Sequence, residues 1–455
     1  MNTTRSIPMM LTALLVAVPA QAQTSDLEAL VDSIAADHID AGRLAGISVG
    51  VARGGDVLLK KAYGHADLEW DVPMPMDAVH EIGSVTKQFT SVAMLQLWER
   101  GLVDLDADLT EYLPDYDTQG RSIPLRRLFD HSSGIKGYTE MPQFGQLMTR
   151  RMERDSLVAM FSAVPLEFEP GAAMIYNNSA FFLLGLIVVE VSGQSYEEYV
   201  EEHIFAPLGM DRSSYCSNAE IVEDRAHGYA GSGDGLVRAD YIDHTWPYAA
   251  GSLCSTVSDL LTWNDALHGG EVLGEEAYEM LITPRPLVDG TPTDYAMGIA
   301  NRRAPSGHVI DHGGAIPGFS SFVRYYPEHG VSVVVLQNST TPPGPTAVAN
   351  AIGEHLFGAE ELHVAQPYPG DLSVFEGTFR GPTRGATLTA TVRVNDDGDL
   401  TIEAGGAEPE VIEYLEGTTF FQGPTLVTFD MEGSAVVGVK LRRGSGISVL
   451  TPVDG

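Results

Sequence analysis

The spacing of apolar residues predicts one helix and two strands near the start of the chain. From residue 27 to 35 apolar side chains recur three and four positions apart, which is typical of an amphipathic helix, and Ser25 precedes it as a candidate N-cap. Two runs typical of strands follow at 45–53 and 56–64. Gly54-Gly55 lies between these runs, so we expect a β-hairpin there.

A second group of strands is predicted much later in the chain. Residues 84 to about 280 have the pattern of helices and long loops, whereas strand patterns return at 320–327 and 331–338, before a closing helix at about 344–357. We expect the early and late strands to pair in one antiparallel sheet flanked by helices, with the helical middle as a subdomain packed against it. The predicted fold class is α+β, arranged as an α/β sandwich.

The last part of the chain has a different pattern. Short runs of alternating apolar and polar residues are separated by turn sequences, and four of the runs are 387–394, 399–404, 425–431 and 435–443. This pattern is typical of a small all-β domain, a barrel or a sandwich. We therefore predict a larger domain at residues 23–362 and an all-β C-terminal domain at residues 363–455.

The first 22 residues have the features of a signal peptide. Arg5 precedes an apolar run, and Ala20-Gln21-Ala22 has the small-x-small pattern of a signal-peptidase site. The run is too short to span a bilayer comfortably and no second such segment follows, so we expect no integral membrane segment after cleavage. The prediction is export, to the periplasm or the extracellular medium, with the mature chain beginning at Gln23.

The charge of the chain excludes one class of partner. Asp and Glu number 62 against 27 Lys and Arg, which gives a formal net charge of −35. Such a field repels polyanions, so binding to nucleic acid or to anionic membranes is not expected. The same field favours substrates with a free amine over substrates with a carboxylate, as a hypothesis. An acidic chain with five lysines fits a salty habitat, but a GC-rich genome also favours arginine over lysine.

The two cysteines of the chain are Cys216 and Cys254. An oxidising compartment would permit a disulfide, but spacing in the sequence does not show whether the two Cα atoms come close enough. Neither cysteine belongs to a metal-binding or Cys-x-x-Cys pattern. Our expectation favours two buried or loop thiols over a bridge.

The first chemical motif is Ser-x-x-Lys, which occurs twice. Ser133 to Lys136 contains glycine and reads as a loop, whereas Ser84 and Lys87 begin a long apolar helix, one turn apart on the same face. A buried ammonium is costly, so Lys87 would be neutral part of the time and could act as a base toward the hydroxyl. The structural alternative is an N-cap serine beside a lysine that extends to solvent.

Two further motifs carry polar groups to the start of an apolar element. Tyr176-Asn177-Asn178 precedes an apolar helix, where a phenol can move protons and an amide can hold a carbonyl, although a helix cap explains it equally well. His312-Gly313-Gly314 precedes a strand, where glycine permits close approach of a substrate. His268-Gly269-Gly270 instead ends a helix as a C-cap. His308 and His312 lie in an extended stretch without the glutamate of a zinc motif, so no metal site is expected.

The three motifs, in this order, resemble the serine β-lactamase and penicillin-binding-protein superfamily. The resemblance covers most of residues 27–357 and includes the flanking stretches PLRRLFDHSSGI and HGGAIPGFSSF. The branch it most resembles is that of the class C β-lactamases, with their D-aminopeptidase, D-Ala-D-Ala carboxypeptidase and family VIII esterase relatives. Some of these relatives carry a β-barrel domain after the catalytic one, from which a loop can shape the mouth of the active site.

The resemblance implies hydrolysis through an acyl-enzyme without metal or organic cofactor. Ser84 would be the nucleophile, Lys87 and Tyr176 would share the acid and base work, and Asn178 would orient the substrate. The residues implied for the third-motif strand are His312, Gly314 and Ala315, which would bind substrate and, through the Ala315 N–H together with that of Ser84, form the oxyanion hole.

One departure from the superfamily pattern bears on the substrate. Many members carry Lys-Thr-Gly as the third motif, whereas this chain has His312-Gly313-Gly314 and so lacks a permanent cation there. The His-x-Gly form resembles the D-aminopeptidase branch. We therefore predict an exported peptidase or amidase of D-aminopeptidase or carboxypeptidase type, acting on a small peptide, amide or ester substrate. The alternatives, in order, are a carboxylesterase, a β-lactamase and a catalytically idle penicillin-binding-like protein.

Overall fold

The computed structural model describes residues 20–233, 235–444 and 446–453. Twelve α-helices occur within these residues, in chain order: α1 (Ala20–Ile39), α2 (Thr86–Glu99), α3 (Leu109–Tyr112), α4 (Arg126–Phe129), α5 (Phe144–Leu147), α6 (Arg154–Ser162), α7 (Asn178–Ser192), α8 (Tyr196–Val200), α9 (Ala206–Leu208), α10 (Val257–Gly269), α11 (Glu275–Ile282) and α12 (Pro345–Phe357). Single 3₁₀ turns stand at Gly83–Val85, Tyr138–Glu140, Tyr248–Ala250 and Leu372–Phe375, and a π-turn at Glu201–Phe205.

The strands within the same residues are, in chain order, β1 (Gly46–Arg53), β2 (Asp56–Asp67), β3 (Val72–Pro73), β4 (His80–Glu81), β5 (Ser214–Tyr215), β6 (Tyr229–Ser232), β7 (Gly235–Arg238), β8 (Leu253–Ser255), β9 (Ala300–Ala304), β10 (Gly307–Ile316), β11 (Phe319–Tyr326), β12 (Val331–Gln337), β13 (Gly377–Thr383), β14 (Ala386–Val394), β15 (Leu400–Ala404), β16 (Glu410–Val411), β17 (Glu413–Glu416), β18 (Thr419–Gln422), β19 (Thr425–Glu432), β20 (Ala435–Arg443) and β21 (Gly446–Pro452).

The central sheet joins the early and the late strands, as the sequence predicts. Its order is β3-β2-β1-β12-β11-β10-β9, and β1 pairs antiparallel with β12. Alternate residues of β1 and β12 contribute to two cores. Val49 and Val335 are buried under α1 and α12, whereas Val334 and Leu336 are buried against the helical part. β12 is buried along its whole length, and burial on both faces explains the unbroken apolar run from Val333 to Leu336.

The helical part is built around α2 and α7, which pack against each other. Nearly every residue of α2 is buried, and so is most of α7. A helix that is apolar on all sides belongs in a core, and the buried side chains of α2 and α7 share one core with Val334 and Leu336 of the sheet. No single helix among the described residues is long and apolar enough to cross a membrane; one bent pair, Asn178–Ser192 with Tyr196–Leu208, meets the criteria of length and composition.

The N-terminal helix begins earlier than the sequence predicts. Among the described residues the helix already includes those from Ala20 to Ser25, so Ser25 lies inside it and is not its N-cap. The residues before Ser25 include alanine and glutamine, which favour helix. Residues 1–19 of the predicted signal peptide lie outside the described residues, and export therefore stays a prediction.

The C-terminal part is an all-β domain, and with it the predicted fold class is confirmed. Its nine strands form one antiparallel sheet in the order β16-β15-β14-β13-β21-β20-β19-β18-β17, which curls into a nearly closed barrel. Aromatic and aliphatic side chains fill its interior, among them Phe375, Phe379 and Phe429. The barrel docks beside the helical part, because Ile447 and Met174 exchange two backbone hydrogen bonds of 2.7 and 3.1 Å.

The expectation of two free thiols is wrong. Cys216 and Cys254 form a disulfide, with their Cα atoms 5.2 Å apart. The physical reason is a small sheet in which β5 pairs with β8, so that Ser214 lies opposite Cys254. This pairing brings Cys216 beside Cys254 across 38 residues of chain, a distance in sequence over which no local pattern indicates proximity.

Candidate active site

Ser84 lies in the turn that leads into α2. The 3₁₀ turn Gly83–Val85 continues directly into the helix, and the Ser84 side chain is partly exposed at the floor of a cleft. Gly83 has a φ of +51°, and a Cβ there would come within 2.9 Å of the Ala315 nitrogen. Glycine therefore lets the backbone beside Ser84 approach β10 closely.

The same close approach explains the glycine of the third motif. A Cβ on Gly314 would collide with the carbonyl oxygen of Ile82, just before Ser84. From the neighbouring strand, the Ser321 hydroxyl donates a hydrogen bond of 2.7 Å to that same carbonyl. The turn carrying Ser84 is thus fixed to β10 and β11, with the exposed Ala315 at its side.

Lys87 is completely buried one helical turn after Ser84. Its Nζ lies 3.1 Å from Ser84 Oγ, 2.8 Å from Asn178 Oδ1 and 2.7 Å from the Ala250 carbonyl oxygen. Among the described residues no carboxylate forms an ion pair with Lys87. Burial, and secondarily the positive charge of Arg384, lower the pKa of Lys87 well below its ordinary value, while Glu140 acts in the opposite direction.

Tyr176 lies over the same lysine. Its ring centre is 4.8 Å from Lys87 Nζ, and its hydroxyl is buried without a hydrogen-bond partner among the described residues. Burial raises the pKa of Tyr176, and the Ser84 hydroxyl near it offsets part of that rise. The phenol is therefore protonated over the whole neutral range, and its oxygen is free to meet a substrate.

Asn178 connects Lys87 to Thr139 by hydrogen bonds. It is the first residue of α7, and the N-cap Asn177 accepts from the Ala180 N–H, which fixes the start of the helix. Asn178 accepts from Lys87 through Oδ1 and donates through Nδ2 to Thr139 Oγ1 at 3.2 Å. The amide is therefore held in one orientation.

His312 points into the protein. Its Nε2 lies 2.8 Å from the Tyr295 hydroxyl, and its Nδ1 lies 2.6 Å from the Gly313 carbonyl oxygen. Because a carbonyl only accepts, Nδ1 carries the proton and Nε2 accepts from Tyr295. Burial lowers the pKa of His312 to about 3. His312 is therefore neutral, with both ring nitrogens already engaged.

The sequence reasoning missed His131 as a residue of the site. Its φ is +60°, its Nδ1 accepts from the Asn177 N–H at 3.1 Å, and its ring lies 4.3 Å from Tyr176 and 4.7 Å from Tyr295. It therefore joins the second motif to Tyr295, the partner of His312. The signal was the stretch DHSSGI, which the sequence reasoning treated only as a flanking match.

The sequence reasoning also missed Arg384, which reaches the site from the barrel. Arg384 lies at the tip of the β13–β14 hairpin, and its guanidinium carbon is 5.2 Å from the centre of the Tyr176 ring. Its Nε donates to Glu140 Oε1 at 2.7 Å, and Thr139 Oγ1 donates to the same oxygen at 2.8 Å. A chain of hydrogen bonds thus runs from Lys87 through the helical part to the barrel.

The cleft that contains these groups has a volume of about 990 Å³. Ser84, Tyr176 and Asn178 line it together with barrel residues such as Arg384 and Leu426. The structure thus brings together all seven residues that the sequence nominates: Ser84, Lys87, Tyr176, Asn178, His312, Gly314 and Ala315. Among the described residues no group of three or more His, Cys, Asp and Glu side chains could hold a metal ion.

Comparison with known proteins decides the family. The family model for Beta-lactamase matches residues 31–356, which is well over half of the chain. The chain belongs to the Beta-lactamase family. Membership of this superfamily, which the sequence motifs predict, is thereby confirmed. Ser84, Lys87, Tyr176 and Asn178 all lie inside the matched region.

Several proteins with different names are similar to this chain. Penicillin-binding protein 4* of Bacillus subtilis (strain 168) is 26% identical over 332 residues, covering 70% of this chain and 72% of that protein. The D-aminopeptidase of Gluconobacter oxydans (strain 621H) is 28% identical over 295 residues, covering 64% of this chain and 55% of its own length. The solved D-stereospecific amidohydrolase from Streptomyces sp. is 25% identical, with a TM-score of 0.62, and covers 75% of this chain and 100% of that one.

Proposed function

We propose that this chain is an exported serine hydrolase that cleaves amide or peptide bonds through an acyl-enzyme on Ser84. The observation that carries the proposal is the set of partners around Lys87. The Ala250 carbonyl and Asn178 Oδ1 can only accept hydrogen bonds, so they take two N–H donors of the amine. A neutral amine then has one lone pair left, and Ser84 Oγ is the partner that can donate to it.

The burial of Lys87 supports this protonation state. An ammonium buried without a carboxylate is strongly disfavoured, and the neutral amine avoids that cost. In the first step the Ser84 proton passes to Lys87 Nζ while Oγ attacks the substrate carbonyl carbon. The backbone N–H groups of Ser84 and Ala315 would receive the oxyanion, because the close contact at Gly83 places these two segments side by side.

Tyr176 is the proposed acid for the leaving group. Its raised pKa keeps the phenol protonated, and its unpartnered hydroxyl is buried next to Ser84. When the C–N bond breaks, the phenol donates a proton to the leaving nitrogen and recovers one from Lys87, which leaves an ester on Ser84. In the second step Tyr176 passes its proton to the neutral Lys87 and takes one from a water molecule, whose hydroxide attacks the acyl carbon. When the bond from this carbon to Ser84 Oγ breaks, Lys87 returns the proton to Oγ, which releases the acid and restores Ser84.

The third motif bears on which bond is cleaved. His312 is neutral and turned toward Tyr295, so it supplies no cation for the carboxylate of a β-lactam. The similar proteins named D-aminopeptidase and D-stereospecific amidohydrolase favour a peptidase or amidase over a β-lactamase. Both ring nitrogens of His312 already have hydrogen-bond partners. We therefore favour a positioning role for His312 over the substrate contact that the sequence predicts.

Export is part of the proposal, and it is supported by an observation other than the predicted signal peptide. The disulfide between Cys216 and Cys254 is typical of proteins that fold in an oxidising compartment. The leader pattern of residues 1–22 and this disulfide point in the same direction. Detection of the protein with a mature N-terminus at Gln23 in the periplasmic or culture fraction would test the proposal; retention of the leader in the cytoplasm would contradict it.

The catalytic proposal is tested by initial rates on three substrates. A D-amino-acid anilide, a short-chain nitrophenyl ester and a cephalosporin are each incubated with residues 23–455, with Ser84→Ala as the blank. We expect anilide turnover that is absent from Ser84→Ala. Turnover of the ester alone would favour the esterase alternative over the amidase. Turnover of the cephalosporin alone would favour the β-lactamase alternative. Silence on all three with no labelling of Ser84 by a fluorophosphonate would favour an idle penicillin-binding-like protein.

A further inference from the structure

The interdomain contact at Arg384 leaves most of its hydrogen-bonding capacity unused. A guanidinium has five N–H donors, and among the described residues the structure gives Arg384 one hydrogen bond, from Nε to Glu140. The side chain is 51% exposed although it lies over Tyr176 and lines the cleft that contains Ser84. The Nη1 and Nη2 donors are therefore open to a ligand in that cleft.

Glu140 binds the Nε of Arg384 and leaves its two Nη groups without a partner among the described residues. The Glu140 side chain is only 12% exposed, and its Oε1 receives the hydrogen bonds of both Arg384 Nε and Thr139 Oγ1. Its Oε2 lies where a Cβ on residue 137 would be, so Gly137 makes room for it. A fixed guanidinium that keeps both Nη groups free matches the two oxygens of a carboxylate.

The other arginines that line the cleft also have partners, and within the described part of the chain none of them contacts the Tyr176 ring as Arg384 does. Arg302 pairs with Asp311, Arg303 pairs with Glu360, and Arg442 donates to the Pro292 carbonyl. His312 and Lys87 supply no positive charge, because burial lowers the pKa of both. Arg384 therefore combines three properties: permanent charge, free donors and a position against the Tyr176 ring.

We propose that Arg384 is a specificity-determining residue that binds a carboxylate of the substrate, so that the C-terminal domain selects peptide or amide substrates bearing a free acid. The inference names the substrate class of the function proposed above and rests on it. It reverses the expectation, drawn from the net charge, that the site favours a free amine. A guanidinium in contact range decides the local interaction, whereas the distant acidic surface is screened by salt.

The test measures binding without turnover, so that it does not depend on catalysis. Acetyl-alanyl-alanine and its C-terminal amide, in D,D and L,L forms, are titrated calorimetrically into full-length Ser84→Ala. The same titrations use Ser84→Ala combined with Arg384→Gln, Arg384→Lys or Arg393→Gln. Arg393 is an exposed arginine further along β14, so its substitution changes the charge equally without touching the cleft.

We expect the acid to bind at least about 10-fold more tightly than the amide, a difference typical of a charge-assisted hydrogen bond. Arg384→Gln should abolish this preference, Arg384→Lys should restore part of it, and Arg393→Gln should leave it intact. Equal binding of acid and amide, equal weakening of both by Arg384→Gln, or binding of neither ligand would overturn the inference. Alanyl-alanine amide, which has a free amine and no acid, is titrated as well, and tighter binding of this ligand than of the acid would overturn the inference and show that Glu140 recruits an ammonium.

A parallel rate measurement separates this inference from the proposed function. Nitrophenyl ester and anilide turnover are measured with Ser84 intact and with the same three substitutions. Loss of all turnover in the wild-type chain, with the acid preference still present in Ser84→Ala, would reject the hydrolase and keep the carboxylate site. Turnover by the wild type without any preference for the acid in Ser84→Ala would keep the hydrolase and reject the carboxylate site.

Discussion

Arg384 of the C-terminal barrel lies with its guanidinium carbon 5.2 Å from the centre of the Tyr176 ring in the helical part. The barrel thus forms part of the candidate active-site cleft. Through Glu140, Thr139 and Asn178 the same arginine is connected by hydrogen bonds to Lys87. Changes at the barrel tip should therefore alter the chemistry at Ser84 without any contact with it.

The first prediction concerns the pH dependence of the rate. The active form has a neutral Lys87, so kcat/KM falls as the pH drops through the pKa of Lys87. Arg384 lowers this pKa and Glu140 raises it. Arg384→Gln should therefore move the acid limb of the profile to higher pH, and Glu140→Gln should move it to lower pH.

The measurement is kcat/KM against pH with a neutral nitrophenyl ester, at low and at high salt. His131 and His312, which also lie near Lys87, remain neutral because burial lowers the pKa of each, so they do not titrate in the same range. Both shifts should shrink at high salt, since Arg384 is half exposed. Shifts of the same sign in the two variants would contradict the account, and Arg393→Gln serves as the control.

The second prediction concerns the glycine that lets β10 approach the nucleophile. In Gly314→Ala the new methyl group would collide with the Ile82 carbonyl and push Ala315 away from Ser84. We expect kcat to fall by about 10²–10³, the effect of losing one oxyanion donor. Gly313→Ala is the matched control, because its Cβ would approach the Phe322 ring to 3.2 Å and the Ser321 carbonyl oxygen to 3.7 Å, without a collision with backbone. Equal activity of the two folded variants would argue against an oxyanion hole at this place.

The third prediction separates two roles for His312. If the ring binds substrate, His312→Ala raises KM; if it fixes β10 through Tyr295 and the Gly313 carbonyl, the variant mainly lowers kcat. The engaged nitrogens lead us to expect the second result, with Tyr295→Phe giving a smaller fall in kcat. Steady-state kinetics on one neutral substrate measure both constants, and a rise in KM alone would restore the substrate contact.

The fourth prediction concerns the disulfide. It closes a loop of 38 residues between Cys216 and Cys254, for which the chain-entropy model gives a stabilisation of about 3 to 4 kcal/mol. The double variant with alanine at both positions should lose about this much free energy of unfolding. Urea titrations of the oxidised wild type, the reduced wild type and the variant measure it; indistinguishable midpoints would show that the bridge contributes nothing.

The sequence predicts those parts of the molecule that leave a local pattern. Strand patterns and apolar spacing predict the pairing of β1 with β12, and two of the three short motifs locate Ser84, Lys87 and Tyr176. Arg384 leaves no such pattern, since an arginine in a hairpin turn is ordinary and only the docking of the barrel brings it to Tyr176. The disulfide was mispredicted for the same reason: β5 and β8 meet through tertiary pairing.

The central claim is that a neutral Lys87 removes the proton of Ser84. The most direct test is the rate of acyl-enzyme formation on a nitrophenyl ester, followed by quenched-flow mass spectrometry, in the wild type and in Lys87→Arg. Arginine is always positively charged in proteins and has no lone pair to accept the Ser84 proton. We predict an acyl group on the peptide containing Ser84, formed about 10²–10⁴ times more slowly in Lys87→Arg. Equal rates, or an adduct on another residue, would contradict the account.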